Sequence, residues 1–263
     1  MLSGHKILIV NDDGIHAPGI ALMEKIVRRH TDQLWVVAPD EERSGASNSV
    51  SLHTPIRVRQ LDERRFAIKG TPTDCVVMAL RELLDEPPTL VLSGINRGAN
   101  LGEDNLYSGT IAAAMEAAVF GLPAVALSQV SPRGSPLPGE TAERSAADII
   151  ARVLPVPLPP GGIVNINFPP VPPEQVAGIR VGKQGRHPAG TFRADARIDA
   201  RDVPYYWIKL AHDQGDYDAD SDLQAVRDGF VAVCPMHVDM TAYTMRAPLD
   251  AALSDLASAA QST

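Results

Sequence analysis

The chain has 263 residues, 44% of them hydrophobic, which is enough for a substantial core and sits at the upper end for one domain. A formal net charge of −8 argues against a general binder of nucleic acid or anionic membrane, so an anionic ligand must be attracted locally, by a cation or by backbone N–H groups. The two cysteines, Cys75 and Cys234, lie far apart, which argues against a disulfide scaffold or a thiolate metal site and suits a reducing compartment; with only a short apolar run at Ile7–Val10 near the start and no basic patch before it, the expected location is cytoplasmic, away from any membrane.

Lys6–Val10 is predicted as a buried strand. Ile20–Arg29 has helical spacing, with Leu22, Ile26 and Val27 on one side, and Leu34–Ala38 is apolar again. Ile56–Arg59 and Arg65–Ile68, bridged by the charged Asp62–Arg64, predict a hairpin, and the charge run Asp62–Arg65 reads as its solvated tip. Val76–Leu84 reads as a helix, with Thr71 as N-cap, Pro72 at the first helical position and Asp74 in the first turn. Thr89–Ser93 is a further buried strand, and Thr110–Phe120 is an alanine-rich helix stopped by Gly121 and Pro123. A strand at Ala124–Leu127 and a helix at Glu140–Leu154 follow. Strands without polar alternation, separated by helices, require a parallel sheet covered on both faces. The expected fold class is therefore α/β, a doubly wound, mostly parallel, Rossmann-like sheet.

Beyond Pro155 the composition shifts to prolines and glycines. Ile163–Phe168 is expected to be one more core strand, followed by short β-like pieces at Ile179–Gly182, Tyr205–Leu210 and Phe230–Cys234 and by an Asp- and Gly-rich stretch, Asp213–Asp222. The expectation is a single domain over 1–263. Residues 1–168 form the α/β core with the active site, and about 169–263 form a β-rich extension and oligomerisation arm.

Ligands of open α/β sheets gather outside the carboxyl ends of the strands. After the first strand come Asn11, Asp12, Asp13 and Gly14. Two carboxylates at one strand tip make a hard-oxygen site suited to Mg²⁺ or Mn²⁺, although the same four residues also suit a plain turn. His16 is either a further ligand or a structural loop residue. After the second strand, "EERSGASNS" offers Ser44 or Ser47 to a metal or phosphate, or is simply a polar loop. After the third, "GINRGANLGEDNLYSGT" combines Gly94, Gly98 and Gly102 with Asn96, Asn100 and Asn105 and ends in Ser108-Gly109-Thr110 at a helix start. Glycines allow close backbone approach, and a helix start presents N–H groups and hydroxyls to an anion such as phosphate; Ser108 equally suits an ordinary N-cap.

The loop matches neither the dinucleotide fingerprint nor the lysine-bearing phosphate loop, and no lysine lies between Gly94 and Thr110. Adjacent Asp12 and Asp13 miss the D-x-D pattern of aspartyl-phosphate phosphatases, and no G-x-S-x-G elbow is present. A hard divalent ion beside an anion cradle suits metal-assisted hydrolysis of a phosphate ester. Asp12, Asp13 or Asp104 is the candidate to orient the attacking water. Aromatic residues make up only 5% of the chain, and Tyr107 and Phe120 are the nearest stacking candidates. Trp35 and Trp207 read as packing residues, His187 as a loop residue near the site or a structural one, and His237 and Asp239 as interface or core-edge residues.

The segments "NDDGIHAPGI", "VVAPDEERSGASNS", "GTPTDCV", "LSGINRGANLG" and "YSGTIAAAMEA", with "NINFP" and "HVDMTA" later, closely resemble the SurE family of stationary-phase survival proteins. The resemblance implies a metal-dependent nucleoside monophosphate phosphatase, a 5′-nucleotidase with 3′-nucleotidase and exopolyphosphatase activity in some members. It implies one divalent ion per subunit, Mg²⁺ or Mn²⁺, on Asp12, Asp13, Ser44 and Asn96, and a phosphate site lined by Asn100, Ser108, Gly109 and Thr110. It also implies homodimers or homotetramers with exchanged C-terminal arms, placed here at Asp213–Asp222 and after Met240. The alternatives are a broad phosphomonoesterase or exopolyphosphatase without nucleotide preference, and a non-catalytic nucleotide sensor.

Overall fold

Every residue of strand β1 (Ile7–Val10) is buried, and the strand pairs in parallel with β2 (Leu34–Pro39) on one side and β5 (Leu90–Arg97) on the other. In this computed structural model, which describes residues 2–131, 136–187, 192–210 and 215–259, the sheet continues in parallel through β6 (Ala124–Gln129) to β7 (Gly162–Phe168). In the other direction β4 (Arg65–Lys69) runs parallel to β2 and carries the antiparallel edge strand β3 (Arg57–Asp62). Beyond β7 the direction reverses: β11 (Phe230–His237) is antiparallel to β7, and β8 (Gly178–Val181) is parallel to β11. The result is a nine-stranded sheet of order β3-β4-β2-β1-β5-β6-β7-β11-β8. The chain after residue 168 thus adds two strands to the main sheet. It also builds a separate antiparallel hairpin, β9 (Phe192–Ile198) with β10 (Pro204–Leu210).

Both faces of the sheet are covered, as strands without polar alternation demand. Helices α1 (Pro18–Arg28) and α4 (Glu140–Val153) close one face over Ile7, Ile9, Ile166 and Phe168. The other face is closed over Leu8, Val10 and Ile163 by α2 (Pro72–Met78, prolonged by a wider turn to Leu83) and α3 (Gly109–Val119). The alanines of α3 let it lie close to the strands. Helix α2 starts where its sequence says it should: the Thr71 hydroxyl accepts from the Asp74 N–H and the Asp74 carboxylate accepts from the Thr71 N–H, a capping box with Pro72 behind it. No helix among the described residues is long and apolar enough to cross a membrane.

The structure departs from the sequence expectations in several places. Strand β5 runs on to Arg97, so Gly94–Arg97 is strand rather than loop. Its pairing with β6 shifts between Ser93 and Asn96. Gly94 has φ +129°, and a Cβ there would lie 2.2 Å from the Leu127 carbonyl oxygen, so only glycine fits. Arg65 belongs to no solvated tip: it donates to Glu24 and to the Ile15 carbonyl. Trp207 is 56% exposed on the hairpin rather than packed. Of the stretch expected as an arm, Asp213 lies outside the described residues, and Asp222 is fully buried at the start of α5 (Asp222–Arg227). A final helix, α6 (Tyr243–Ala259), is exposed at every residue from Tyr243 to Ser254.

Candidate active site

The ends of β1, β2 and β5 meet at Asp12 and Asp13. The turn after β1 is closed by the Asn11 side-chain amide donating to the Gly14 carbonyl at 2.9 Å. Gly14 has φ +99°, and its missing Cβ would sit 3.2 Å from the Glu41 backbone, so the turn and the loop after β2 are in contact. The Arg43 N–H, donating to the Asp12 carbonyl at 2.8 Å, fastens that loop to the strand tip. The turn is formed, and it presents two neighbouring carboxylates.

Asp12 is only 4% exposed and faces the N-terminus of α3. Its Oδ1 accepts from the Thr110 hydroxyl at 2.5 Å, and the N–H groups of Gly109 and Thr110 also favour its charge. Burial nevertheless outweighs these bonds and pushes its carboxyl up from the ordinary value. Gly109 makes the approach possible, because a Cβ there would stand 2.7 Å from the Asp12 Cβ and 2.8 Å from the Pro72 Cγ. Asp13 accepts from the Arg97 N–H at 3.0 Å. Its own burial, with smaller contributions from the charges of Asp12 and Glu42, pushes its carboxyl up to about 6.

Two adjacent, largely buried carboxylates therefore share one strand tip, and among the described residues neither has an ion-pair partner. Such a pair calls for a cation. No group of three or more His, Cys, Asp and Glu suited to a metal occurs among the described residues. The remaining donors must be neutral oxygens, which is the chemistry Mg²⁺ and Mn²⁺ accept. Both neutral candidates adjoin residues that are hydrogen-bonded to the acids, Asn96 preceding Arg97 and Ser44 following Arg43. Asn96 follows the β5 irregularity, its amide nitrogen donating to the Gly98 carbonyl at 3.2 Å, which leaves Oδ1 as the donor atom. Ser44 adjoins Arg43 and is exposed, its hydroxyl donating to Glu42 at 2.9 Å. Ser47 turns elsewhere, donating to the Leu106 carbonyl at 2.6 Å. The residues present fit a hard divalent ion.

Of the expected phosphate residues, Ser108, Gly109 and Thr110 open α3, where Gly109 and Thr110 meet Asp12, while Asn100 is held from β6 and β7. Ser108 caps α3, its Oγ accepting from the Ile111 N–H at 3.1 Å, and its own hydroxyl proton is not used in that bond. Asn100 is buried and donates to the Ser128 hydroxyl at 2.8 Å. Its backbone is clamped from β7: its N–H donates to Asn167 Oδ1, and its carbonyl accepts from the amides of Asn165 and Asn167, each at 2.9 Å. Asn165 and Asn167 thus replace apolar packing on one face of β7 with a polar clamp. Only the alternation of "NINF" hints at this. Asp222 is a second strut not legible in the sequence, accepting from the N–H groups of Gly102 and Gly185.

The other candidates are spread wider. His16 is exposed on the turn after β1. His187 and Asp104 are buried together, with Nε2 3.6 Å from Oδ2, beside a cavity of about 310 Å³ that Leu101 and Tyr217 also line. Phe120 lies at the far end of α3 from Asp12, under the Arg81 guanidinium, and drops out as a stacking residue. Trp35 packs against Arg64. His237 accepts the Asp239 N–H beside the start of α6.

Similarity to known proteins points to one family. The family model described as "Survival protein SurE" matches residues 7–191. Proteins named 5′-nucleotidase SurE from Brucella suis (strain ATCC 23445 / NCTC 10510) and Brucella abortus (strain S19) are each 46% identical over 253 residues, covering 94% of this chain and 98% of the relative. The crystal structure of the SurE protein from Aquifex aeolicus superposes with a TM-score of 0.80 at 35% identity, covering 93% of this chain and 98% of that one.

Proposed function

Since the chain belongs to the SurE survival-protein family, we propose that it is a metal-dependent 5′-nucleotidase that hydrolyses nucleoside monophosphates to nucleoside and phosphate. The observation that carries this reading is the pair Asp12 and Asp13: neighbouring carboxylates, the first buried at the N-terminus of a helix and the second partly buried, without an ion-pair partner among the described residues. Asp12, Asp13, Ser44 and Asn96 are the residues that would hold one Mg²⁺ or Mn²⁺. When bound, such an ion polarises a phosphoryl oxygen and lowers the pKa of a coordinated water.

The chain's own residues do the rest. Thr110 and the start of α3 favour the ionised form of Asp12 against its burial and fix its direction. The Arg97 N–H does the same for Asp13. Asn100, Ser108, Gly109 and Thr110 wall the phosphate site, where the Ser108 hydroxyl donates to a phosphoryl oxygen and the positive end of α3 offsets the developing charge. The nucleoside oxygen leaves as the water attacks from the opposite side.

Self-association to a dimer or tetramer belongs to the same reading. It is supported by the exposed Tyr206, Trp207 and Ile208 of β10 and by an exposed stripe on α6, Met245, Leu249 and Leu253, at helical spacing.

The test is phosphate release from nucleoside 5′-monophosphates by chelator-stripped protein, before and after addition of Mn²⁺ or Mg²⁺. Release that returns with the ion is expected. Release indifferent to chelation, or absent with every ion, overturns the reading. Asp13→Asn is expected to keep the fold by circular dichroism while activity falls at least ~100-fold, the scale of lost electrostatic catalysis.

A further inference from the structure

We propose that the rings of Tyr107 and Phe192 form the stacking platform for the nucleobase, an inference that rests on the nucleotidase reading and adds to it the part of the molecule that tells a nucleotide from a simple sugar phosphate. The two residues are far apart in sequence, and the rings meet edge to face, with centroids 4.7 Å apart and planes at 77°. Each is about half exposed, 42% for Tyr107 and 45% for Phe192, so the pair is formed without being buried in a core. A flat base laid on one ring meets the edge of the other.

The position of the pair supplies the argument. Tyr107 immediately precedes Ser108, the cap of α3, so the residue that carries the ring adjoins the proposed phosphate wall. Its carbonyl accepts from the Ser47 N–H at 3.3 Å, and the Leu106 carbonyl accepts from the Ser47 hydroxyl. The loop that carries Ser44 is therefore fastened to the residue that carries the ring, and the platform is held in register with both the metal and the phosphate residues. Phe192 begins β9, so the hairpin that stands apart from the main sheet reaches back to the site at this point. The other exposed aromatic residues, Tyr205, Tyr206, Trp207 and Tyr243, lie on β10 and α6. Stacking tolerates every base because each has a π-face. The platform therefore predicts preference for nucleotides as a class, with little choice among bases.

The experiment compares AMP with ribose 5-phosphate, which lacks only the base, by equilibrium binding and by kcat/KM. Wild-type protein is expected to prefer AMP at least about tenfold, as base–aromatic stacking provides. Tyr107→Leu and Phe192→Leu keep apolar bulk and lose the π-face, and each is expected to bring the ratio toward one. Tyr107→Phe is expected to retain it. A wild-type ratio near one, a ratio unchanged in both leucine variants, or an equal loss on both ligands overturns the platform. The binding arm reports on the platform even if no phosphate is released, an outcome that would count against the nucleotidase reading alone.

Discussion

Thr110 and Asp12 stand 98 positions apart, and the hydroxyl of the first donates to the carboxylate of the second at 2.5 Å. This bond joins the tip of β1 to the first turn of α3, so the same contact fixes the fold and aims the carboxylate. Thr110→Val keeps the shape and removes the donor. A hydrogen bond to a charged group is worth about 1.5–3 kcal/mol, so kcat/KM for AMP is expected to fall roughly 10- to 100-fold. Thr110→Ser, which restores the hydroxyl, is expected to recover most of it. Equal activity in the valine variant would take the aiming of Asp12 out of the mechanism.

Gly109 makes a complementary case. Alanine in a helix is normally more stable than glycine by up to about 1 kcal/mol. Here the added methyl would meet the Asp12 Cβ at 2.7 Å and the Pro72 Cγ at 2.8 Å, so the start of α3 must move away from β1 and α2. Gly109→Ala is expected to lower stability by about 1–3 kcal/mol, the range for an overpacked site, and to cut activity more than Thr110→Val does. Thermal unfolding and phosphate release measure the two effects separately.

These two residues also mark what the sequence could and could not tell. "SGT" before an alanine-rich helix reads as an anion cradle, and a helix start with capping hydroxyl is what forms. Much of its donor capacity, however, is turned on Asp12, a residue of the chain itself. That contact depends on where β1 and α3 meet in space, which no local pattern encodes. The capping box at Thr71 and Asp74 was legible because all its chemistry lies within four consecutive residues. The clamp of Asn100 by Asn165 and Asn167 was not, because its partners come from another strand. Strand β9 escaped notice because Arg193, Asp195 and Arg197 alternate with small and apolar residues over no core. Helix α6 escaped notice because it contains Pro248 and buries none of Tyr243–Ser254.

Asp74 does more than cap α2. Its carboxylate also accepts from the Ser51 N–H at 3.0 Å and the Ser51 hydroxyl at 2.6 Å, while the Thr71 hydroxyl donates to the Ser49 carbonyl at 2.7 Å. The helix start thereby pins the far end of the loop that carries Ser44. Asp74→Ala is expected to cost about 1–3 kcal/mol through the orphaned donors. It is also expected to weaken Mn²⁺ binding, although Asp74 touches none of the proposed ligands. Calorimetric titration with Mn²⁺ and hydrogen exchange over residues 44–51 check this. Normal metal affinity in a destabilised variant would confine Asp74 to a structural role.

Asp222 is buried with three backbone donors around it: Gly102 at 3.0 Å on Oδ2, and Gly185 and Leu223 at 2.8 Å on Oδ1. Asparagine cannot replace it, since an amide nitrogen on either side would face an N–H group. Asp222→Asn is expected to destabilise the protein by about 1–3 kcal/mol, a fall in Tm of roughly 3–10 °C for a chain of this size. An unchanged Tm would mean that these loops are held by other contacts.

Asp239 gives a dependence on pH whose sign is fixed by its surroundings. At the exit from β11 its carboxylate accepts from the Thr241 N–H at 2.9 Å and from the Tyr243 hydroxyl, and the Thr241 and Tyr243 bonds hold it down to about 2. The folded value lies below the unfolded one of about 3.9. The stabilisation is therefore fully present above about pH 4 and is lost as pH falls through about 2. Because these bonds tie the chain just before an exposed helix to the helix's first residue, the helicity of α6 is expected to decline over that interval. Asp239→Ala is expected to show the reduced helicity already at pH 7 and no further change on acidification. Carboxyl-carbon NMR of Asp239 reads the titration directly, and a midpoint near about 3.9 would show that these bonds do not form in solution.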